Sequence, residues 1–297
     1  MDDRSTARRE IALVTYDARP EPTDDDRLLA DALTEREVAV HAVPWSDIAA
    51  RWSAYDAVVV RSCWDYFLRA DEFHDWLRRI EMDRVPVHND VRVLRWNSDK
   101  SYLRDLAARG VPVIPTHWLD RGSTDSLATV RRAAGWSEVV VKPTVSGGAH
   151  RTWRAALAGE PADDARLAAM VADGAVMVQP LVEEIERDGE WSLVFFGGRH
   201  SHAVVKRPRR GDFRVQREHG GSLHSAQPTD AVIAAAARVI AEMPCGAVPP
   251  LYARVDGCVV DGELLLMELE VLEPELFLRC APAAAGLFAD TLLARLG

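Results

Sequence analysis

The order of strand and helix signals along the chain restricts its fold more than any other feature of the sequence. In roughly the first 80 residues, short apolar runs that are typical of buried strands alternate with segments of helical periodicity. This order of strands and helices indicates an open and mostly parallel sheet. The predicted order is strand Ile11–Thr15, a helix capped by Thr23, strands Val38–Val43 and Ala57–Val60, and a helix with its apolar stripe at Phe73, Trp76, Leu77 and Ile80.

The last third of the chain carries antiparallel signals instead. Two pairs of apolar strands are each joined by a glycine-containing turn, which predicts two β-hairpins: Glu190–Phe196 with His200–Lys206, and Tyr252–Val260 with Glu263–Val271. The fold class is therefore α/β plus α+β, an N-terminal open parallel-sheet domain followed by further lobes. The remaining predicted elements are helices Asn97–Ala108, Leu127–Ala134, Asp164–Val171, Ala231–Met243 and Leu287–Leu296 and strands Val111–Ile114, Val139–Val141 and Val176–Val178.

Composition excludes several classes of function. The chain has 36 Lys and Arg against 46 Asp and Glu, and this net charge of −10 counts against binding to nucleic acid or to an anionic membrane. The N-terminus is charged, and no apolar stretch approaches the roughly 18 residues of a membrane span. The four cysteines form no CxxC pair, which is typical of reduced thiols. We expect a soluble cytoplasmic protein that binds neither nucleic acid nor membrane.

Two lysines stand where an anion would be bound. Lys142 ends the continuous apolar run Val139–Val141, and a charge at the end of a buried strand is costly unless it meets a negative partner. Ser146, Gly147 and Gly148 follow, and glycines allow backbone N–H groups to approach phosphate closely. Lys100 falls in the first turn of its predicted helix, near the positive helix end. A plain turn and an outward-pointing lysine remain the alternatives.

Three carboxylates on the second predicted hairpin form the sharpest signal. Glu268 and Glu270 are two residues apart on an otherwise apolar strand, so they share a face and repel each other. Asp256 lies on the partner strand. Since carboxylate oxygens and substrate phosphates together hold Mg2+, the cluster indicates a metal site. A solvated edge strand is the alternative.

The metal hypothesis makes a prediction about the hairpin turn. A regular two-residue turn at Asp261-Gly262 pairs Asp256 with Met267, and Glu268 then points to the opposite face. Shared metal binding therefore requires a β-bulge or an odd-length loop, for which residues 260–262 are the candidate.

Cationic side chains are concentrated in the segment Lys206–Arg217, which is followed by Gly220-Gly221. Because guanidinium groups match phosphate and carboxylate oxygens, this segment indicates an anion clamp, with a solvated basic loop as the alternative. His200 and His202 alternate on one predicted strand and are more typical of a core or solvated pair than of a metal site. Cys63 could act as a nucleophile only beside a general base, and the sequence identifies no such residue.

In chain order, these segments resemble the ATP-grasp superfamily of ATP-dependent carboxylate ligases. Residues 97–180 resemble its central lobe, residues 181–297 its C-terminal lobe with the metal site, and residues 1–96 the α/β domain that precedes it. The resemblance implies ATP and Mg2+ as cofactors. It assigns nucleotide contacts to Lys100, Lys142, Ser146, Gly147, Gly148, Gln179, Pro180, Leu181, Val182 and Glu184 (with Glu183 as the alternative near the ribose), metal ligation to Asp256, Glu268 and Glu270, and catalytic contacts to Lys206, Arg214 and Arg254.

Glu270 departs from the pattern, because the branch of the superfamily that this chain resembles usually has Asn there. The sequence segments 61–66 and 268–277 resemble those of a narrower group, which includes the O-ureido-serine cyclo-ligase of cycloserine biosynthesis. The implied reaction is ligation of a small amino-acid-like carboxylate through an acylphosphate, with the attacking nitrogen in the same molecule. An intermolecular ligase of the glutathione-synthetase kind, a nucleotide-binding module without turnover and a nucleic-acid binder remain alternatives. A homodimer also stays open.

Overall fold

The computed structural model of the 297-residue chain describes residues 8–155, 161–209, 211–215, 219–244, 246 and 248–297. Its strands are β1 Glu10–Thr15, β2 Ala39–Pro44, β3 Ala57–Val60, β4 Val87–His88, β5 His117–Leu119, β6 Val139–Pro143, β7 Trp153–Ala155, β8 Val176–Pro180, β9 Glu190–Phe196, β10 Arg199–Arg207, β11 Ser222–Ala226, β12 Tyr252–Val260 and β13 Glu263–Glu270. Its helices are α1 Asp24–Thr34, α2 Ala70–Met82, α3 Val91–Asn97, α4 Tyr102–Ala108, α5 Leu127–Ala134, α6 Pro161–Asp173, α7 Glu183–Arg187, α8 Asp230–Ala241 and α9 Ala284–Leu293.

The N-terminal part is the predicted open sheet. Its strands run in the order β2-β1-β3-β4, and all neighbouring pairs are parallel. The side chain of Thr23 caps α1 by accepting a hydrogen bond from the backbone N–H of Asp26. The apolar stripe of α2 is buried against the sheet, as its 3.6-residue period predicts.

A central sheet of order β5-β8-β6-β7 is antiparallel, and α5 and α6 pack on it to form a separate hydrophobic core. The predicted helix Asn97–Ala108 is confirmed for Tyr102–Ala108, whereas its start is wrong, because the chain breaks between α3 and α4. The Asn97 amide donates to the Leu269 carbonyl at 2.7 Å and accepts from the Val271 N–H at 2.9 Å. The N–H of Lys100 donates to the Thr144 carbonyl at 2.9 Å. The Asn97 bonds use its side-chain amide and fix the end of α3, whereas the Lys100 bond uses an N–H group that a continuous helix would need. Lys100 therefore lies in a connection.

The predicted strand Val111–Ile114 is also wrong. It makes a single parallel bridge, between Val113 and Leu266, because Pro112 and Pro115 have no N–H group to offer to a ladder. The strand of this region lies further on, at β5. Helix α3 and the short strands β4, β7 and β11 were not predicted from the sequence, since they are too short to show a clear period.

Both C-terminal hairpins are confirmed within a five-stranded antiparallel sheet of order β11-β10-β9-β12-β13. The three-residue loop at 260–262 is wrong. Val260 pairs with Glu263 across a two-residue turn in which Asp261 and Gly262 have φ angles of 50° and 85°. The ladder then shifts register between Asp256 and Gly257, which is the alternative that the metal hypothesis allowed.

One core joins the N-terminal sheet to the C-terminal lobe. Leu13 and Leu33 of the first part pack in the same cluster as Phe196, Tyr252 and Phe288 of the last. Among the described residues, no helix is both long enough and apolar enough to cross a membrane.

Candidate active site

A cleft of 780 Å³ opens where the three parts of the chain meet. Its walls bring together residues from the N-terminal domain, the central sheet and the C-terminal sheet, which are far apart in sequence. The predicted site residues that line it are Lys100, Lys142, Ser146, Gly147, Gly148, Gln179, Pro180, Leu181, Val182, Lys206, Arg214, Arg254, Asp256, Glu268 and Glu270.

Lys100 is buried and links the glycine loop to the acidic strand. Its Nζ donates to the Ser146 carbonyl at 2.6 Å and lies 3.1 Å from Oε1 of Glu268. Burial by itself lowers the pKa of Lys100, but the Glu268 carboxylate outweighs this effect and raises the pKa above its usual value. The ammonium therefore stays charged beside the point where phosphates would enter.

Lys142 ends β6 and points its charge into the same cleft. Burial lowers the pKa of Lys142, and the Glu268 carboxylate offsets only part of that effect. Within the described residues, no hydrogen bond or ion pair engages its ammonium. A bound anion would restore the compensation that this buried cation lacks.

The glycine loop is shaped for close approach. Gly148 has a φ angle of 55°. A Cβ atom at Gly147 would lie 3.0 Å from the ring of Phe67, so an alanine there would press on the aromatic side chain. Ser146 is held by Lys100, and its hydroxyl also donates to the Pro143 carbonyl at 3.3 Å.

The strand-end segment 179–182 forms another wall of the cleft. The Gln179 amide donates to the Thr116 hydroxyl at 2.8 Å, and the Leu181 N–H donates to the Glu138 carbonyl at 3.0 Å. Any backbone pairing with a base must therefore use other groups of this segment. Glu184 does not line the cleft, and its carboxylate lies 3.8 Å from Arg187 on the same helix. Glu186 lines it instead, because residues two apart on a helix point in nearly opposite directions.

A β-bulge at Met267 aligns the predicted carboxylates. Asp256 pairs with Glu268 while Gly257 pairs with Leu266, so Met267 is the extra residue. Paired residues of antiparallel strands share a face, and this bulge therefore brings Asp256 beside Glu268 despite the two-residue turn.

Arg254 and Asp256 form the centre of this face. The guanidinium of Arg254 makes a fork on the Asp256 carboxylate with distances of 2.8 to 3.1 Å. The Ser192 hydroxyl donates to the same carboxylate at 2.6 Å, and Nζ of Lys206 lies 3.4 Å away. Burial raises the pKa of Asp256, but Arg254 and Lys206 outweigh it and hold the value at about 2. Asp256 is thus ionised at any physiological pH.

Glu270 shares the Arg254 guanidinium with Asp256, but its negative charge has fewer cationic neighbours. Burial raises the pKa of Glu270 well above its usual value, Arg254 lowers it, and the carboxylate of Glu268 raises it further. In the described ranges, no three His, Cys, Asp or Glu side chains converge in a ready metal-binding arrangement. The donor set nevertheless fits Mg2+, because all three groups are carboxylates on one face and a divalent cation would relieve their repulsion.

Glu190 extends the charged face and was missed from the sequence. Its carboxylate lies 2.6 Å from Nζ of Lys206, and both side chains are nearly buried. The Asp256 and Glu190 carboxylates outweigh the effect of burial and raise the pKa of Lys206. A glutamate at the start of an apolar strand was the only available signal.

Arg214 lies at the mouth of the cleft and is tied to a neighbour. Its guanidinium donates to both carboxylate oxygens of Asp212 at 2.9 and 3.1 Å. The Arg214 guanidinium holds the pKa of Asp212 well below its usual range. The Arg214 side chain is 34% exposed, so it can move once this pair opens. Arg210, Gln216 and Arg217 of the basic segment, and Cys245, lie outside the described residues.

Two further sequence hypotheses have clear outcomes. Cys63 is buried, and burial raises the pKa of its thiol well above the usual value, which makes it a poor nucleophile. His202 Nε2 contacts the Leu276 carbonyl at 2.8 Å, a structural rather than a metal-ligating role. The cleft also contains Trp64, which follows the strand-end segment 61–63, and Phe213 of the basic segment. Phe67 and Glu273 line it too, and the sequence had not assigned them to the site.

Comparison with known proteins agrees with this geometry. Residues 11–89 match the family described as D-cycloserine synthetase DcsG, N-terminal domain. The chain is 36% identical over 300 residues to the cycloserine biosynthesis protein DcsG of Streptomyces lavendulae, covering 96% of this chain and 98% of that protein. The crystal structure of D-cycloserine synthetase DcsG superposes with a TM-score of 0.86 at 35% identity, covering 97% of this chain and 100% of that one.

More distant structures share the fold. D-alanine–D-alanine ligase of Bacillus anthracis has a TM-score of 0.68 at 13% identity, covering 98% of this chain and 97% of that one. The ATP-grasp ligase PsnB, solved with Mg and ADP, has a TM-score of 0.67 at 17% identity, covering 97% of this chain and 98% of that one. The predicted fold class is confirmed, since the chain has the fold of these ligases. The resemblance to the cycloserine group is confirmed as well, and the chain belongs to the family of the cycloserine biosynthesis protein DcsG.

Proposed function

We propose that this enzyme uses ATP and Mg2+ to close a ring within one amino-acid molecule of the O-ureido-serine type. The similar protein DcsG bears the name D-cycloserine synthetase. The observation that carries the proposal is the bulged pairing of Asp256 with Glu268, which turns three carboxylates toward Lys100 and the glycine loop in one cleft. The likeness over nearly the whole chain supports the same reaction class.

The nucleotide would be bound by residues of the central sheet and of its connections. Lys100 and Lys142 place two ammonium groups at the glycine loop, whose backbone N–H groups can donate to phosphate oxygens. Pro180, Leu181 and Val182 provide a wall for the base. Glu268, Glu270 and Asp256 would hold Mg2+, which when bound neutralises charge on the phosphate oxygens.

The chemical step requires a carboxylate, a phosphate and a nitrogen to meet in this cleft. The substrate carboxylate oxygen takes the γ-phosphoryl group and ADP leaves; the nitrogen then attacks the carbonyl carbon, loses its proton, and phosphate leaves. Lys206, Arg214 and Arg254 supply positive charge where oxygens gain negative charge. The loop at 146–150, with His150 against Phe67 at 5.2 Å, would close over the acylphosphate and keep water from it.

The test measures ADP release and product mass with D- and L-O-ureido-serine, with and without Mg2+. We expect Mg2+-dependent ADP release and a ring product from a single amino-acid molecule. A product that joins two molecules would favour the intermolecular alternative, and no ADP release with any amino acid would refute the proposal. Glu268→Gln is expected to lower turnover at least about tenfold, whereas Glu263→Gln, an exposed glutamate on the same strand, is the matched control. A homodimer and a cytoplasmic location remain predictions.

A further inference from the structure

The irregular segment at residues 271–277, which follows β13, is held along its backbone by side chains. Six successive backbone carbonyl oxygens each contact a side-chain nitrogen or hydroxyl oxygen, and the distances between these atoms are 2.8 to 3.1 Å. The contacts are Asn89 on Val271, Tyr252 on Leu272, Trp64 on Glu273, Arg61 on Pro274, Arg254 on Glu275 and His202 on Leu276. The contacting residues come from both the N-terminal domain and the C-terminal sheet. A backbone fixed at this many points is a rigid platform, although it has no regular secondary structure.

This platform forms part of the cleft wall. Leu272, Glu273, Glu275 and Phe277 line the cleft. The side chains they present are therefore placed with the precision that a binding site requires.

Glu273 differs from the other acidic residues of the cleft. Each of the others has a cationic partner: Glu186 with Arg154, Glu190 with Lys206, Asp256 and Glu270 with Arg254, Glu268 with Lys100, and Glu275 with Arg279. For the Glu273 carboxylate, the described part of the chain provides no ion pair and no hydrogen bond from another side chain, and only its own backbone N–H contributes. A partly buried carboxylate without a partner is costly, and a cationic ligand would remove that cost.

An aromatic side chain is fixed to the backbone of the same residue. Trp64 also lines the cleft, and its indole Nε1 donates to the carbonyl of Glu273 itself at 3.1 Å. A carboxylate and an indole face together suit a primary ammonium, which gains an ion pair from one and a cation–π contact from the other.

We infer that Glu273 and Trp64 form the subsite for the ammonium group of the amino-acid substrate and thereby select amino acids over carboxylates that lack an amine. The inference rests on the proposed function for the identity of the substrate. In this arrangement Lys100 and Lys142 receive the phosphates, and the platform receives the amine. The reacting carboxylate would lie between them.

The test measures binding by calorimetry, with Mg2+ and a non-hydrolysable ATP analogue, of O-ureido-serine and of its analogue without the amine. Wild-type enzyme is expected to bind the amine-bearing compound about ten- to hundredfold more tightly, as for other hydrogen-bonded charged groups. Glu273→Gln should abolish most of this preference and leave the affinity for the ATP analogue unchanged. Trp64→Leu should reduce the preference as well.

Glu275→Gln is the matched control, because Glu275 lines the same cleft from the same platform but is paired with Arg279 at 2.7 Å. It should retain the preference for the amine. Retention of the preference in Glu273→Gln would overturn the inference, as would equal or absent binding of both compounds by wild-type enzyme. A weaker affinity for Mg2+ in Glu273→Gln with an unchanged preference would overturn it too and make Glu273 a metal ligand. Binding with the expected preference but no ADP release would refute the proposed function and leave the ammonium subsite standing.

Discussion

Most charged side chains of the cleft have a neighbour of opposite charge, and the few that lack one indicate where ligands bind. Asp256 has Arg254, Lys206 and Ser192 around it, so it needs no ligand to remain ionised. Lys142 and Glu273 are the opposite case, a cation and an anion whose burial is not offset by a direct partner among the described residues. Burial raises the pKa of Glu273 to about 7, with Lys100 lowering it and Glu268 raising it. Uncompensated charges of this kind mark where ligands bind.

Lys142→Ala is expected to raise the Kd for ATP about tenfold or more, because the ammonium ends a buried strand and would bind a phosphate in the ground state. Arg214→Ala should change the Kd for ATP less than about twofold but lower kcat, because this side chain is held by Asp212 until charge develops. Calorimetry and steady-state rates separate the two effects. Arg132→Ala and Arg207→Ala, at exposed positions on α5 and at the end of β10, are the controls. Wild-type affinity and turnover in both Lys142→Ala and Arg214→Ala would show that the site is misassigned.

We expect His88 to make the stability of the enzyme depend on pH. Burial, followed by the charge of Arg295, lowers the pKa of His88 from 6.5 to about 4. Between about pH 6.5 and pH 4 the unfolded chain therefore binds a proton that the folded chain does not. The free energy of unfolding should keep its full value above pH 6.5. Protonation of His88 in the unfolded chain should lower it by about 2–3 kcal/mol as the pH drops to 4.

Urea denaturation at several pH values measures this dependence. His88→Gln should flatten the loss of stability, and His224→Gln, which changes an exposed histidine on β11, should leave it as in the wild type. Equal pH profiles for wild type and His88→Gln would contradict the assignment.

Among the elements, the bulged hairpin of β12 and β13 has the largest effect on function. Its two-residue turn sets one register and the bulge at Met267 shifts it by one residue, so Asp256 and Glu268 share a face. The bulge in turn depends on Gly257. A Cβ atom there would lie 2.4 Å from the Leu265 carbonyl oxygen, which belongs to the backbone and cannot move away easily.

Gly257→Ala is expected to lower the free energy of unfolding by about 2–3 kcal/mol, because the added methyl group forces the strands apart at the bulge. It should also weaken Mg2+ dependence, since the carboxylates lose their alignment. Gly174→Ala, where nothing lies within 4 Å of the added carbon, is the matched control. Chemical denaturation gives the first effect and Mg2+ titration of ADP release the second. A Gly257→Ala enzyme as stable as the Gly174→Ala control would disprove the role of the bulge.

In the whole molecule, the three parts are not equally joined. The N-terminal sheet and the C-terminal lobe share one core, and Asp25 of α1 accepts the N–H of Leu278 at 3.0 Å. The central sheet instead encloses its own core, which contains Val139, Val141 and Val178. The glycine loop and the cleft wall at residues 179–182 both extend from this sheet.

Amide hydrogen exchange should detect the difference. We expect amides of β6 and β8 to open with a free energy at least about 1–2 kcal/mol below that of β1 and β12, because the central unit can unfold without disrupting the shared core. ATP with Mg2+ should raise protection of β6 and β8 and leave β1 unchanged. Equal protection of all four strands without nucleotide would mean that the chain unfolds as one unit.

Sequence reasoning reached the elements with long, regular patterns: the βαββα order, both hairpins, and the lysines and carboxylates of the cleft. Local hydrophobic periodicity predicts the strands and helices, the lysines and carboxylates are the charged exceptions on or next to them, and their order along the chain is the basis of the resemblance. The structure decided what depends on contacts distant in sequence. Asn97 interrupts a helix because its amide pairs with the backbone on both sides of Glu270. Glu273 acquires its environment from Trp64, Lys100 and Glu268, which no local pattern connects. Hydrophobic period is a property of neighbours along the chain, whereas the charge of a buried group depends on neighbours in space, and for this reason only the tertiary structure identified the carboxylate without a partner.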